Sequence, residues 1–269
     1  MSLQQDIIRR FGVKPEIDPE EEIRRRVDFL KNYLSNTGMD GLLIAISGGV
    51  DSAVAAALCK KATDELTREK GKEYFTLGVF QPYGDQEDIT DSYAVADAIN
   101  LQRRVETNIR DSVDEMALEV EFALKSLGVH KHLSRVAKGN MKARTRMVKQ
   151  YALAVELNLL VVGTDHASEA LTGFFTKWGD GAVDITPLSS LNKRQVRLLA
   201  GKLGIPEQVI TKAPTAGLWP GQTDEDELGI SYEDNSSYLE GKEIDPKVKE
   251  KLERQYQITE HKRSPIPGI

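Results

Sequence analysis

The residues that concentrate the most chemistry in the least space are Ser47-Gly48-Gly49-Val50-Asp51-Ser52. Gly48 and Gly49 have no side chains, so phosphate oxygens can approach the main chain closely there. Ser47 and Ser52 add a hydroxyl on either side. Asp51 is out of keeping with the rest, because a carboxylate beside phosphates repels them unless a cation lies between. The hexapeptide therefore implies a nucleotide phosphate and Mg²⁺ together. It is not the P-loop pattern G-x-x-x-x-G-K-[ST], since no lysine stands here, and it is not the dinucleotide fingerprint G-x-G-x-x-G. A plain glycine–serine turn is the competing reading, and the flanking sequence decides between the two.

The apolar run Leu42 to Ile46 predicts a buried strand, and the alanine-rich run Ala53 to Lys61 predicts a helix. Strand, glycine turn and helix N-terminus make an anion site, where free N–H groups and the helix dipole place about half a positive charge. Further strands are expected over Tyr74–Phe80, Arg103–Thr107 and Leu159–Gly163. Helices are expected after Asp18-Pro19, over Ser92–Ile99 and Val113–Leu127, from Gly139, and over Asn192–Leu203, Ile230–Leu239 and Pro246–Ile258. This order predicts one α/β domain over 1–269, a doubly wound parallel sheet with helices on both faces.

Polar segments leave the carboxyl ends of three of these strands, where open α/β sheets bind ligands. One is the phosphate loop. A second, 81–88, reads as a flap. The third is Thr164-Asp165-His166-Ala167-Ser168-Glu169. After it, residues 173–184 pack aromatics with Lys177 and Asp184 and read as a substrate wall, and 213–225 read as a second flap. His130 and His132 stand without other metal-binding residues nearby and read as surface groups.

Composition narrows the class. The chain has 36 Lys+Arg against 42 Asp+Glu, a net charge of -6, which argues against a nucleic-acid partner. Cys59 is the only cysteine, so a disulfide framework and a zinc cluster are both excluded. With no signal-peptide core and no apolar run of membrane-spanning length, the expected setting is the cytoplasm.

The hexapeptide resembles the PP-loop of the ATP pyrophosphatases, which split ATP between the α- and β-phosphates. A closer resemblance runs nearly end to end. ISGGVDS, KGNMKARTRM, VVGTDHASEALTGFFTKWGDGAVDITPL, KRQVRLLA, APTAGLWPGQTDEDELG and TEHKR are similar to the ammonia-dependent NAD⁺ synthetases. That resemblance implies amidation of deamido-NAD⁺ with ammonia at the expense of ATP, through an acyl-adenylate, by a homodimer without a glutaminase domain. It implies that Ala45, Ile46, Ser47, Gly48, Gly49, Val50, Asp51 and Ser52 hold ATP, with Thr164, Lys193 and Thr215. Asp51 and Glu169 would hold Mg²⁺, and Lys193 would be the point charge on the phosphates. Arg144, Lys177, Asp184, His261 and Lys262 would contact deamido-NAD⁺, with Asp184 the first candidate to take a proton from ammonium. Two positions depart from the family pattern: Ala45 stands where glycine is frequent, and Val50 where glutamine is. The nearest rivals are a tRNA-modifying adenylator and a GMP synthetase-like amidotransferase. The first calls for catalytic cysteines and a basic surface, the second for a glutaminase.

Overall fold

The computed structural model describes residues 2–86, 88–215 and 223–269. Its centre is a parallel sheet of four strands: β1 (Gly41–Ala45), β2 (Phe75–Phe80), β3 (Arg104–Glu106) and β4 (Leu159–Val162), in the order β3-β2-β1-β4. Central parallel strands are covered on both faces and so read as near-continuous apolar runs. Leu42 and Ile44 point into one core, with Ile46, Leu160 and Val162, while Leu43, Val79, Leu159 and Val161 point into the opposite one. Register is set by pairs such as Leu43↔Leu77 and Leu43↔Val161. Beyond β4 the sheet gains a single parallel bridge, Val162↔Ile185.

The helices are α1 (Leu3–Phe11), α2 (Pro19–Thr37), α3 (Val50–Lys70), α4 (Ile89–Ala98), α5 (Arg110–Ser126), α6 (Arg135–Leu157), α7 (Ala167–Thr172), α8 (Lys193–Lys202), α9 (Glu207–Thr211), α10 (Asp224–Leu228), α11 (Tyr232–Leu239) and α12 (Pro246–Ile258). A 3-10 turn, Glu260–Lys262, follows. α2, α3 and α8 pack together on one face of the sheet, and α6 covers β4 and β1 on the other. A separate small core joins α1, α7, α11 and α12 through Ile7, Leu171, Tyr238 and Leu252. The expected doubly wound parallel architecture is what forms.

Several helix starts differ from the sequence reading: α4 begins at Ile89 rather than Ser92, α5 at Arg110 rather than Val113 and α11 at Tyr232 rather than Ile230, and two further shifts bear on the site. α3 begins at Val50 rather than Ala53, because Gly49 is already its N-cap. Asp51 therefore sits inside the first helical turn. α6 begins at Arg135, ahead of Gly139, because the Ser134 hydroxyl accepts the Ala137 N–H at 3.2 Å and caps the helix earlier.

Candidate active site

The chain runs from β1 outward to β2 and β3 and then returns to place β4 on the other side of β1. The gap between β1 and β4 is therefore the topological switch point, where a crevice opens beyond the strand ends. A cleft of about 940 Å³ lies there.

The phosphate loop forms its floor. Gly48 has φ +84°, a left-handed conformation that favours glycine, and an added Cβ would stand 3.2 Å from both Asp91 Cβ and Ser92 Oγ. The two serine hydroxyls are engaged within the loop. Ser47 N–H donates to Ser52 Oγ at 3.2 Å, Ser52 Oγ donates to the Gly49 carbonyl at 3.0 Å, and the two hydroxyls lie 3.1 Å apart. Their first task is thus to shape the turn that aims the α3 N-terminus into the cleft.

Four side chains meet above that turn. Asn192 and Gln195 cap α8 reciprocally, which starts the helix at Lys193 and brings its side chain inward at 3% exposure. Lys193 Nζ donates to Asp51 Oδ2 at 2.6 Å. His166, fully buried, caps α7 by accepting the Glu169 N–H on Nδ1. Its Nε2 faces Asp51 Oδ1 at 3.4 Å and Glu169 Oε2 at 3.7 Å. Burial pushes the Asp51 carboxyl up, but the charges of Lys193 and His166 outweigh it and hold Asp51 below the usual carboxylate range. At Glu169 the same two groups, His166 and Lys193, do not outweigh burial. Burial pushes it up to about 8, with the Asp51 carboxylate adding to the rise and His166 opposing it.

This arrangement fits a divalent cation. One ligand atom each from Asp51, His166 and Glu169 lie within 4.8 Å of one another. Asp51 Oδ1 and His166 Nε2 are buried and complete no hydrogen bond. Two carboxylates facing each other are offset by a hard cation that takes oxygen ligands, as Mg²⁺ does.

The residues assigned to ATP come together here. The loop from Ala45 to Ser52 lines the cleft except at Gly48, whose α-carbon is turned toward α4, and Thr164, Glu169, Lys193 and Thr215 line it too. The dinucleotide residues divide. Lys262 lines the cleft and donates to the carbonyls of Gly173 and Phe175 at 2.7 Å. Beside it runs a surface chain of contacts: Arg144 Nη2 donates to the Lys177 carbonyl at 3.2 Å, and Lys177 Nζ to the His261 carbonyl at 2.6 Å. Asp184 joins neither group. Its carboxylate accepts the Val161 N–H at 2.7 Å and the Tyr151 hydroxyl at 3.0 Å, which ties down the outer edge of β4. Phe174 and Phe175 wall the cleft, whereas Trp178 is 52% exposed.

Of the two stretches read as flaps, residue 87 and residues 216–222 lie outside the described residues. Within the first, Gln81 exchanges hydrogen bonds with Arg146, donating to its carbonyl and accepting from its Nε, and Gly84 N–H donates to Asn108. At the far end, Lys212 bridges Asp88 and Asp91.

Sequence reasoning gave no role to Asp165, Arg146 or Tyr232. Asp165 lines the cleft and is pushed well above its ordinary value by burial, then by Asp180 and Asp51. Arg146 is lowered to about 10 by burial. Asp165 sits inside the polar turn already singled out, so a signal for it was present. Arg146 gave none, because its helix carries several basic residues of equal claim.

A parallel sheet with a glycine phosphate loop at its switch point, and an acidic pair under a lysine, defines an ATP-using α/β enzyme of the PP-loop class. The chain belongs to the NAD synthase family, whose family model matches residues 22–266. It is 48% identical over 266 residues to the NH(3)-dependent NAD(+) synthetase of Limosilactobacillus fermentum, covering 97% of this chain and 94% of that one. The NH(3)-dependent NAD(+) synthetase of Bacillus subtilis is 46% identical over 266 residues, covering 98% and 96%. Among solved structures, the NAD+ synthetase of Burkholderia pseudomallei superposes with a TM-score of 0.82 at 35% identity, covering 97% of this chain and 95% of that one. An NMN synthetase from Francisella tularensis superposes with a TM-score of 0.84 at 34% identity, covering 94% and 99%.

Proposed function

We propose that this chain is an ammonia-dependent NAD⁺ synthetase, joining ammonia to the pyridine carboxylate of deamido-NAD⁺ with cleavage of ATP to AMP and pyrophosphate. The observation that carries the reading is the Asp51–Lys193–Glu169 arrangement over the loop at the α3 N-terminus. A carboxylate is a poor acceptor for an amine because its oxygen does not leave. Attack of that carboxylate on the α-phosphorus gives an acyl-adenylate and expels pyrophosphate. Ammonia then adds to the acyl carbon, AMP leaves, and the amine proton passes to a base. The first step demands neutralisation of crowded negative charge more than covalent help from the protein.

The loop amides and the α3 dipole take the phosphates. Lys193 adds a point charge once it is released from Asp51. Asp51 and Glu169 would hold Mg²⁺, which neutralises phosphate charge when bound. Arg144, Lys177, His261 and Lys262 supply the cationic track for the dinucleotide. Asp184 remains the proposed acceptor of the ammonium proton in a dinucleotide-bound dimer, where its present hydrogen bonds have to be exchanged. Ammonia is the nitrogen donor: Cys59 is fully buried and burial pushes its thiol up, so it is a core residue rather than a glutaminase nucleophile.

A homodimer fits the surface. Leu118 and Phe122 on α5 are 62% and 72% exposed, and Val148 and Val155 on α6 are 60% and 76% exposed. These two packed helices present an uncovered apolar face on the helix that bears Arg144. No described helix is long and apolar enough to cross a membrane. ATP as co-substrate and a single inert thiol fit work in the cytoplasm.

Mass spectrometry of products from ATP, Mg²⁺, ammonium and deamido-NAD⁺ tests the reading. NAD⁺, AMP and pyrophosphate in equal amounts are expected. Faster turnover of nicotinate mononucleotide would move the assignment to a mononucleotide synthetase. Equal rates with ammonia-free glutamine would overturn the nitrogen donor.

A further inference from the structure

Tyr232 opens α11 and is buried at 4% exposure, beneath the catalytic cluster. The Lys193 ammonium lies over its ring, 4.8 Å from Nζ to the centroid. The His166 ring packs edge-on against the same aromatic, with centroids 6.2 Å apart. Its hydroxyl donates to Asp224 at 3.0 Å, and its backbone N–H donates to Glu225 at 2.7 Å. The ring is thus pinned on several sides, with one face left for a cation.

We propose that Tyr232 is a positioning residue for Lys193: its ring face holds the ammonium in place when the Asp51 carboxylate is shared with another cation. This rests on the reading of Lys193 as the phosphate cation. Lys193 is bound to Asp51 at 2.6 Å. Once triphosphate and a divalent cation occupy the cleft, the Asp51 charge is shared, and a lysine on a flexible four-carbon stem loses what fixed it. A second carboxylate beneath Lys193 would fix it but would repel the phosphates. An aliphatic residue would do neither. An aromatic face attracts an ammonium within about 6 Å through its quadrupole and presents no anion to the substrate. The hydroxyl bond adds a second constraint. Asp224 N–H donates to the Pro214 carbonyl at 3.1 Å, so the ring that fixes Lys193 also anchors the stretch that carries Thr215.

The test keeps the shape and removes the charge distribution. Tyr232 is replaced by phenylalanine, the reference that already lacks the hydroxyl bond to Asp224, and by phenylalanines bearing one, two and three ring fluorines, which progressively cancel the negative face relative to that reference. Across this series kcat is expected to fall stepwise by about 10- to 30-fold, while KM for deamido-NAD⁺ stays within about twofold. The melting temperature of the ligand-free chain is expected to fall in the same order, because the contact is already made there. The melting trend should disappear in a Lys193→Met background. Flat kcat and melting temperature across the series, or a melting trend that persists without Lys193, would overturn the assignment. The Lys193→Met chain alone tests the phosphate role: wild-type turnover there would sink that reading, while the ligand-free melting series would still decide what the ring holds.

Discussion

Breaking the Asp51–Lys193 pair from one side should cost far more than removing it whole. The two groups meet at 2.6 Å, with side chains 18% and 3% exposed. At an effective dielectric constant of about 20, that distance corresponds to an attraction of about 6 kcal/mol. Desolvating both charges takes back most of it, so the pair adds little net stability. Lys193→Met leaves Asp51 facing Glu169 without its cation, and the expected cost is about 3 kcal/mol. Asp51→Asn strands the ammonium but also removes the anion facing Glu169, so it is the milder change, at about 2 kcal/mol. With an unfolding entropy of about 2.1 cal/mol/K per residue over 269 residues, 3 kcal/mol lowers the melting temperature by about 5 °C. The double variant should melt within about 2 °C of wild type, because both charges leave together. Differential scanning calorimetry of the four ligand-free chains in chelator measures the cycle. Single-variant losses that simply add in the double variant would refute the reasoning.

Three more predictions are open to direct measurement. Arg24, opposed by burial and joined by Lys31, lowers Glu65 to about 2; its stabilisation is complete above the unfolded value near pH 4.3 and is lost as pH falls toward 2. Glu65→Gln should therefore cost about 1–2 kcal/mol at pH 7 after screening at the half-exposed Arg24, and at most about 0.4 kcal/mol at pH 2, by chemical denaturation. Gly48→Ala combines φ +84° with a Cβ 3.2 Å from Asp91 and Ser92, so it should raise KM for ATP at least about fivefold by about 1–3 kcal/mol of strain; unchanged ATP kinetics would contradict the turn described here. Phe122→Glu, on the exposed α5 face, should leave the fold intact by circular dichroism but shift sedimentation from the proposed dimer to monomer at micromolar concentration.

β1, β2 and β4 were legible to within a residue or two, because covered parallel strands must be apolar on both faces and few other segments can be. The phosphate loop was legible because glycine, hydroxyl and carboxylate at fixed offsets answer one chemical need. α12 was legible end to end, since Asp245 caps it just ahead of Pro246. Short elements were not: α1, α9 and α10 have 9, 5 and 5 residues, too few for a periodic pattern to stand out. At the site, spacing along the chain put Asp184 among the pocket carboxylates. The bridge between Val162 and Ile185 instead carries it along the sheet edge, where a backbone N–H claims it. Tyr232 left no trace at all. Its role depends on α11 packing under α8, and no local pattern encodes a meeting of residues so far apart.

The helix behind the phosphate loop has a consequence for how sequence variation in this enzyme is interpreted. α3 is buried nearly all round, and Ala53, Ala55, Ala56, Ala57 and Ala62 let its neighbours close in on it. A larger side chain at any of these positions pushes the helix off its axis at about 1–3 kcal/mol, and the loop moves with it. In a saturation screen scored by growth, these plain alanines will look as intolerant as Asp51 or Lys193. A loss-of-function allele at Ala56 would then be taken for damage to catalysis, although the residue touches no substrate. What separates the two kinds of allele is whether a lower growth temperature restores them: displaced-helix variants should recover in the cold, and variants that lack a charge should not.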